Sequence, residues 1–135
     1  MKKTCRSKPT EATVHQQVVN YLKLQYPKVL FRTDFAAGIK MTIGQAMKHK
    51  KLQWGSKWPD LFIAAKSSYG NYSGLFLEIK RDKSEVYKKD GTMKNDIHIQ
   101  DQLDMLVKLC DNGFVARFAC GFLGAKQIID EYLKP

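Results

Sequence analysis

The chain, 135 residues long, lacks any apolar run that could cross a membrane; Leu61-Phe-Ile-Ala-Ala65, one of its longest, is far short of the ~20 residues a span requires. No apolar segment follows the basic stretch Met1–Arg6, so no signal peptide is expected. Cysteine is scarce: Cys5, Cys110 and Cys120 are odd in number, widely spaced and form no C-x-x-C pair. That excludes a disulfide frame and a Cys-rich zinc site and leads us to expect free thiols in a reducing, cytoplasmic setting. No Gly-rich phosphate loop is present, so a nucleotide cofactor is not expected. Histidines are few and scattered, at 15, 49 and 98, and supply no obvious soft-metal set.

Acidic residues are almost absent from the first part of the chain. Residues 1–58 hold 12 Lys and Arg against 2 Asp and Glu, whereas residues 59–135 hold 11 of each. The whole net charge of +10 therefore sits before Pro59. Such a field draws in a polyanion from a distance, and Lys40, Lys48, Lys50, Lys51 and Lys57 are the candidate phosphate contacts. A solvated basic face that merely keeps the protein soluble accounts for the charge as well. An anionic membrane surface fits less well, because no basic amphipathic helix with an aromatic face appears.

The remaining composition, 44% hydrophobic and 27% charged, is that of a globular protein, and the length suits one domain over 1–135 with residues 1–9 as a flexible basic arm. Thr10 is placed to cap a helix from Glu11 that carries Val14, Val18, Tyr21 and Leu22 on one face and closes at Pro27. Strands are expected over Val29–Phe35, Pro59–Ala65, Gly74–Lys80 and Phe114–Ala119, with a turn at Ala36–Gly38. Helices are expected near Gln45–Leu52, from about Asp96 to Gly113 with Leu103, Leu106, Val107 and Leu109/Cys110 apolar, and over Gly124–Leu133. Cys110 and Cys120 read as buried small hydrophobes. The order is αβ(α)ββαβα: an α/β fold with a mixed sheet flanked by helices.

In Leu75-Phe-Leu-Glu-Ile-Lys80 the strand alternation sends Leu75, Leu77 and Ile79 to one face and Phe76, Glu78 and Lys80 to the other. If the strands before and after the loop at Lys66–Ser73 form an antiparallel hairpin, Asp60 falls opposite Glu78, to within a residue. Two carboxylates that close repel unless a cation sits between them, and Mg²⁺ takes one or two carboxylates together with water and phosphate oxygens. Lys80 is then placed to orient or deprotonate water or to neutralise charge on a phosphorane. Gln100, Gln102 and Glu11 are further polar groups that either flanking helix can bring to the same place. A strand-end turn at Asp60 and a surface Glu78–Lys80 pair fit the same spacing, and spacing alone does not choose.

Trp58-Pro-Asp-Leu-Phe-Ile63, Gly74-Leu-Phe-Leu-Glu-Ile-Lys-Arg81 and Gln102 followed by Gly113-Phe114 resemble the virus-type replication-repair nuclease (VRR-NUC) family, a branch of the PD-(D/E)xK nucleases. The likeness runs from about Glu11 to Leu133. It implies a restriction-endonuclease-like αβββαβ core and Mg²⁺- or Mn²⁺-dependent hydrolysis of DNA phosphodiesters by metal-activated water. By the same likeness Asp60, Glu78 and the backbone carbonyl of Ile79 are metal ligands and Lys80 is the catalytic lysine. Gln102 takes the place of the family's glutamine, and Glu11 that of the acidic residue of the first helix. Stand-alone relatives of viral type are similar to Holliday-junction resolvases and pair as homodimers, which implies branched DNA as substrate and a phage or prophage origin. The alternatives are a nuclease of the same chemistry acting on flaps, ends or simple duplex, and a basic module that grips DNA without cutting it. Many relatives have glycine two positions before the Pro-Asp pair, where this chain has Lys57.

His15, beside the apolar stripe of the first helix, reads as a core-edge residue, and His49 as a phosphate contact in its basic cluster. Trp54 and Trp58 suit packing of the basic segment onto the sheet, or stacking on an exposed base.

Overall fold

The structure, a computed structural model, describes residues 8–34 and 40–134. The expected basic arm, as far as residue 7 and including Cys5, and the expected strand end and turn at 35–38 lie outside the described residues.

Thr10 accepts a hydrogen bond from the Thr13 N–H and starts α1 (Glu11–Gln25), which ends at Tyr26, just before Pro27. Val14, Val18 and Leu22 are spaced by four and fully buried, a stripe worth about 1.5–3 kcal/mol per side chain. Four strands follow: β1 (Phe31–Thr33), β2 (Leu61–Ile63), β3 (Leu75–Lys80) and β4 (Val115–Cys120), lying in that order across one sheet. The first three run antiparallel to their neighbours, and β3 and β4 are parallel. A parallel pair needs a crossover, supplied by α3 (Ile97–Asp111), which Asp96 caps through the N–H groups of His98 and Ile99. The chain closes with α4 (Gly121–Leu133).

The sheet is covered on both faces. Leu75, Leu77 and Ile79 point toward α1 and α4 and join Leu61, Ile63, Ile128, Ile129 and Tyr132 in the larger core. Phe76 points the other way, to Met105, Leu106 and Leu109 of α3, and stacks on Phe62 at a centroid distance of 4.5 Å. The alternation read in β3 is thus a sheet with a helical layer on each side. Asp130 ties α4 to α1, accepting hydrogen bonds from Tyr21 at 2.5 Å and Tyr26 at 2.7 Å.

Several boundaries differ from expectation for local reasons. β1 and β2 are three residues each, because pairing reaches only from Phe31↔Ile63 to Thr33↔Leu61. The helix expected at Gln45–Leu52 is α2 (Ile43–Lys51), started earlier by a capping box in which Thr42 and Gln45 bond each other's backbone N–H. α4 starts three residues early because Gly121, at φ 73°, turns the chain directly out of β4. In α3 the buried set is Ile99, Met105, Leu106 and Leu109; Val107 is exposed and Cys110, expected to be buried, is exposed too. Cys120 is half-buried. Among the described residues no helix is long and apolar enough to cross a membrane.

Candidate active site

The register of the hairpin fixes where the chemistry-bearing residues fall. Leu61↔Leu77 and Thr33↔Leu61 are the last ladder pairs, so one further step aligns Asp34, Asp60 and Glu78 across three adjacent strands. The Asp34 N–H indeed donates to the Asp60 carbonyl at 2.8 Å. The same register sets Ile79 opposite Pro59, which has no N–H to give. The Ile79 N–H is taken instead by Asp60 Oδ2 at 2.9 Å. A strand residue's N–H and C=O lie on one edge, so the Ile79 carbonyl faces this same place without a ladder donor from Pro59.

Each helical layer adds to the site. From α3, Gln102 Nε2 donates to Glu78 Oε1 at 3.0 Å, whereas Gln100 turns away to the Lys94 carbonyl. Lys80 Nζ stands 3.6 Å from the same Glu78 oxygen. From α1, His15 Nε2 lies 3.7 Å from Asp60 Oδ2 and 3.8 Å from Glu11 Oε1. The groups line one cleft of about 590 Å³ between α1 and α3, open where β3 runs on past β2.

Electrostatically the cleft is short of positive charge. Glu78 is only 4% exposed, and its pKa is pushed up to about 9, first by burial and next by the Asp60 carboxylate. Asp60 is raised by burial, which outweighs His15 and the Ile79 N–H. Glu11 is raised by burial and then by Asp60. Three carboxyls held above their ordinary range around one cleft are a donor set for a hard divalent cation. Gln102 Oε1 is buried without a hydrogen-bond partner among the described residues, a further acceptor at this place. Glu11, His15 and Asp60 each bring one ligand atom within 4.8 Å of the others.

Sequence reasoning missed His15 and Asp34 as members of this cleft. The i,i+4 spacing of Glu11 and His15 was visible, but only the packing of α1 over the end of β2 brings both to Asp60. His49, read as a phosphate contact, is instead part-buried, 3.8 Å from Asp34 Oδ1 and 2.8 Å from the Gln53 side chain. That contact brings α2 beside the acidic row. Lys48, Lys50 and Lys51 sit exposed in its last turn, where they also complement the negative end of the helix dipole, and Lys40 is exposed ahead of it. Lys57 is half-buried, with Nζ 3.1 Å from His98 Nδ1. Its φ of 71° lies in the left-handed region that glycine adopts more readily than lysine.

No protein-family model matches the chain, and no curated protein matches it in sequence. Among solved structures it is similar to one described as a VRR_NUC domain protein, at a TM-score of 0.70 and 25% identity, over 96% of this chain and 92% of that one. Fold and likeness together define a restriction-endonuclease-like α/β nuclease domain. Within that class the chain is similar to the VRR-NUC family.

Proposed function

We propose that the protein is a divalent-metal-dependent endodeoxyribonuclease of the PD-(D/E)xK type that cuts branched DNA, with 1–135 as a single domain working as a homodimer. The observation that carries this reading is the convergence of Asp60, Glu78, Lys80 and Gln102 in one cleft of a VRR-NUC fold. Asp60, Glu78 and the Ile79 carbonyl would hold Mg²⁺ or Mn²⁺, with Glu11 and His15 as the α1 side of the site. A cation there supplies Lewis-acid polarisation of the phosphate and acidifies water.

The protein's own groups do the rest. Gln102 holds the Glu78 carboxyl in one rotamer through its amide N–H. The Ile79 N–H does the same for Asp60, so neither carboxylate has to reorganise when it binds a cation. Lys80, its side chain only 12% exposed, places an ammonium beside Glu78, where it can orient the attacking water and offset charge gathering on the phosphoryl oxygens. Water attacks phosphorus in line, the opposite P–O bond breaks, and the leaving oxygen takes a proton. The lysines at 40, 48, 50, 51 and 57 hold the backbone by charge, so binding falls steeply with salt.

The test is cleavage of end-labelled four-way junction, flap and linear duplex with Mg²⁺, with Mn²⁺ and in EDTA. Paired symmetric nicks in the junction support a dimeric resolvase, since two-fold related cuts need two sites. Cleavage of flaps or ends alone keeps the chemistry and removes the resolvase. Tight binding with no cutting of any substrate leaves a non-catalytic DNA-gripping module.

A further inference from the structure

We propose that the cleft behind α2 is a binding site for a single unpaired nucleobase, so that the enzyme engages DNA carrying an unstacked nucleotide beside the cut. The inference rests on the nuclease reading for its substrate and on different residues for its argument. A second cavity, of about 460 Å³, adjoins the acidic cleft and shares Thr33, Asp34 and Asp60 with it. Its base is Trp58, which packs beside Phe76 at 6.1 Å and belongs to the smaller core. Its outer wall is Trp54, which is 65% exposed. The two tryptophans therefore divide the roles expected of them: Trp58 packs, and Trp54 does not.

Trp54 is exposed yet held. The Trp58 indole N–H donates to the Trp54 carbonyl at 2.7 Å, which pins the loop after α2. Lys108 Nζ of α3 stands over the Trp54 ring at 5.3 Å, which helps to orient its plane. A large aromatic fixed in position and left open to solvent is a stacking platform whose ordering cost is already met. Arg32 on β1 lines the same cavity, is exposed and forms no ion pair with the described residues. It is available to the phosphate of whatever nucleotide is stacked.

The charge around the cleft selects the occupant. Arg32 lines the cavity with the two tryptophans, Lys108 stands over Trp54, and the lysines of the last turn of α2 directly precede the Trp54 loop in the chain, a combination that fits a base attached to a phosphate backbone. Continuity with Asp60 places that base next to the phosphate being cut. A base inside a duplex is paired and stacked and cannot enter, so the cleft discriminates for branch points, bulges and flaps.

The test is binding in EDTA, where no cutting occurs, of the full chain to two labelled DNAs of one sequence. One is a perfect duplex and the other carries a one-nucleotide bulge. Trp54→Ala is expected to weaken binding to the bulged DNA about 5- to 100-fold and to leave duplex binding as it was, while Trp54→Phe retains most of the affinity. Equal loss on both DNAs, or no loss on either, overturns the proposal. So does sedimentation showing that Trp54→Ala turns a dimer into a monomer, since the cleft would then seat a second copy. Cleavage run in parallel separates the two readings. Metal-dependent cutting that ignores Trp54 removes the base site alone, and a bulge-specific Trp54 effect without any cutting removes the nuclease alone.

Discussion

Without a divalent cation, Glu78 is held protonated at neutral pH by burial and by the neighbouring Asp60 carboxylate, and Glu78→Gln isolates what that costs. The unfolded chain releases the Glu78 proton near the ordinary value of 4.5, whereas the folded protein keeps it up to about 9. Between those limits the folded state binds one more proton than the unfolded state. Stability therefore falls as pH rises, by about 1.4 kcal/mol per pH unit from this group alone. Gln is neutral at every pH, matches the protonated carboxyl in shape, and keeps an oxygen for the Gln102 amide. The two proteins are expected to be equally stable near pH 5 in EDTA. By pH 7 the variant leads by roughly 2–3 kcal/mol, a large share of the 5–15 kcal/mol typical of a domain. Denaturant midpoints measured at intervals of pH give the difference curve directly, with other titrating groups cancelling. At pH 7, Mg²⁺ at a thousand times Kd reverses the order, because only the wild type has both carboxylates and gains about 4.1 kcal/mol. Parallel pH curves in EDTA, or a variant less stable than wild type at pH 8, refute the reasoning.

Three further substitutions probe separate parts of the account. Lys57→Gly relieves a left-handed backbone and is expected to stabilise the fold by about 0.5–1 kcal/mol in denaturant melts, with a smaller salt slope in DNA binding if the side chain meets a phosphate. Gly74→Ala would set its Cβ 2.6 Å from the Phe62 ring and 3.2 Å from Phe114, and a loss of about 1–3 kcal/mol in the same melts is expected. His15→Ala removes the imidazole beside Asp60 and Glu11 and is expected to move the metal dependence of cleavage to higher concentration while leaving DNA binding in EDTA unchanged.

The pairing of Asp60 with Glu78 was legible in the sequence because strand alternation has a period of two and the hairpin has a single midpoint. Those two constraints place the residues within one step of each other before any contact is known. Pro59 adds a reason that register alone reveals, since a proline opposite Ile79 ends the ladder where the carboxylates gather. The α1 stripe was equally plain, from the four-residue spacing of Val14, Val18 and Leu22. His15 and Asp34 were not legible as site members. The first depends on which end of the sheet α1 covers, and the second on the register of β1, a three-residue strand with little pattern of its own. Periodicity likewise could not separate Val107 and Cys110 from Met105 and Leu109, because one turn of α3 carries apolar residues on both sides. Trp54 and Trp58 are chemically identical in sequence, and only the packing of Phe76 distinguishes them.

The central claim is that Asp60 and Glu78 hold a cation that cuts DNA. It is tested most directly by comparing wild type with Asp60→Asn for cleavage of labelled junction DNA under single-turnover conditions, with Mg²⁺ and in EDTA, alongside binding of the same DNA in EDTA. The account predicts cutting by the wild type only when metal is present, loss of cutting in the variant, and equal binding by both. Cleavage that persists in EDTA, or in Asp60→Asn at the wild-type rate, would contradict it.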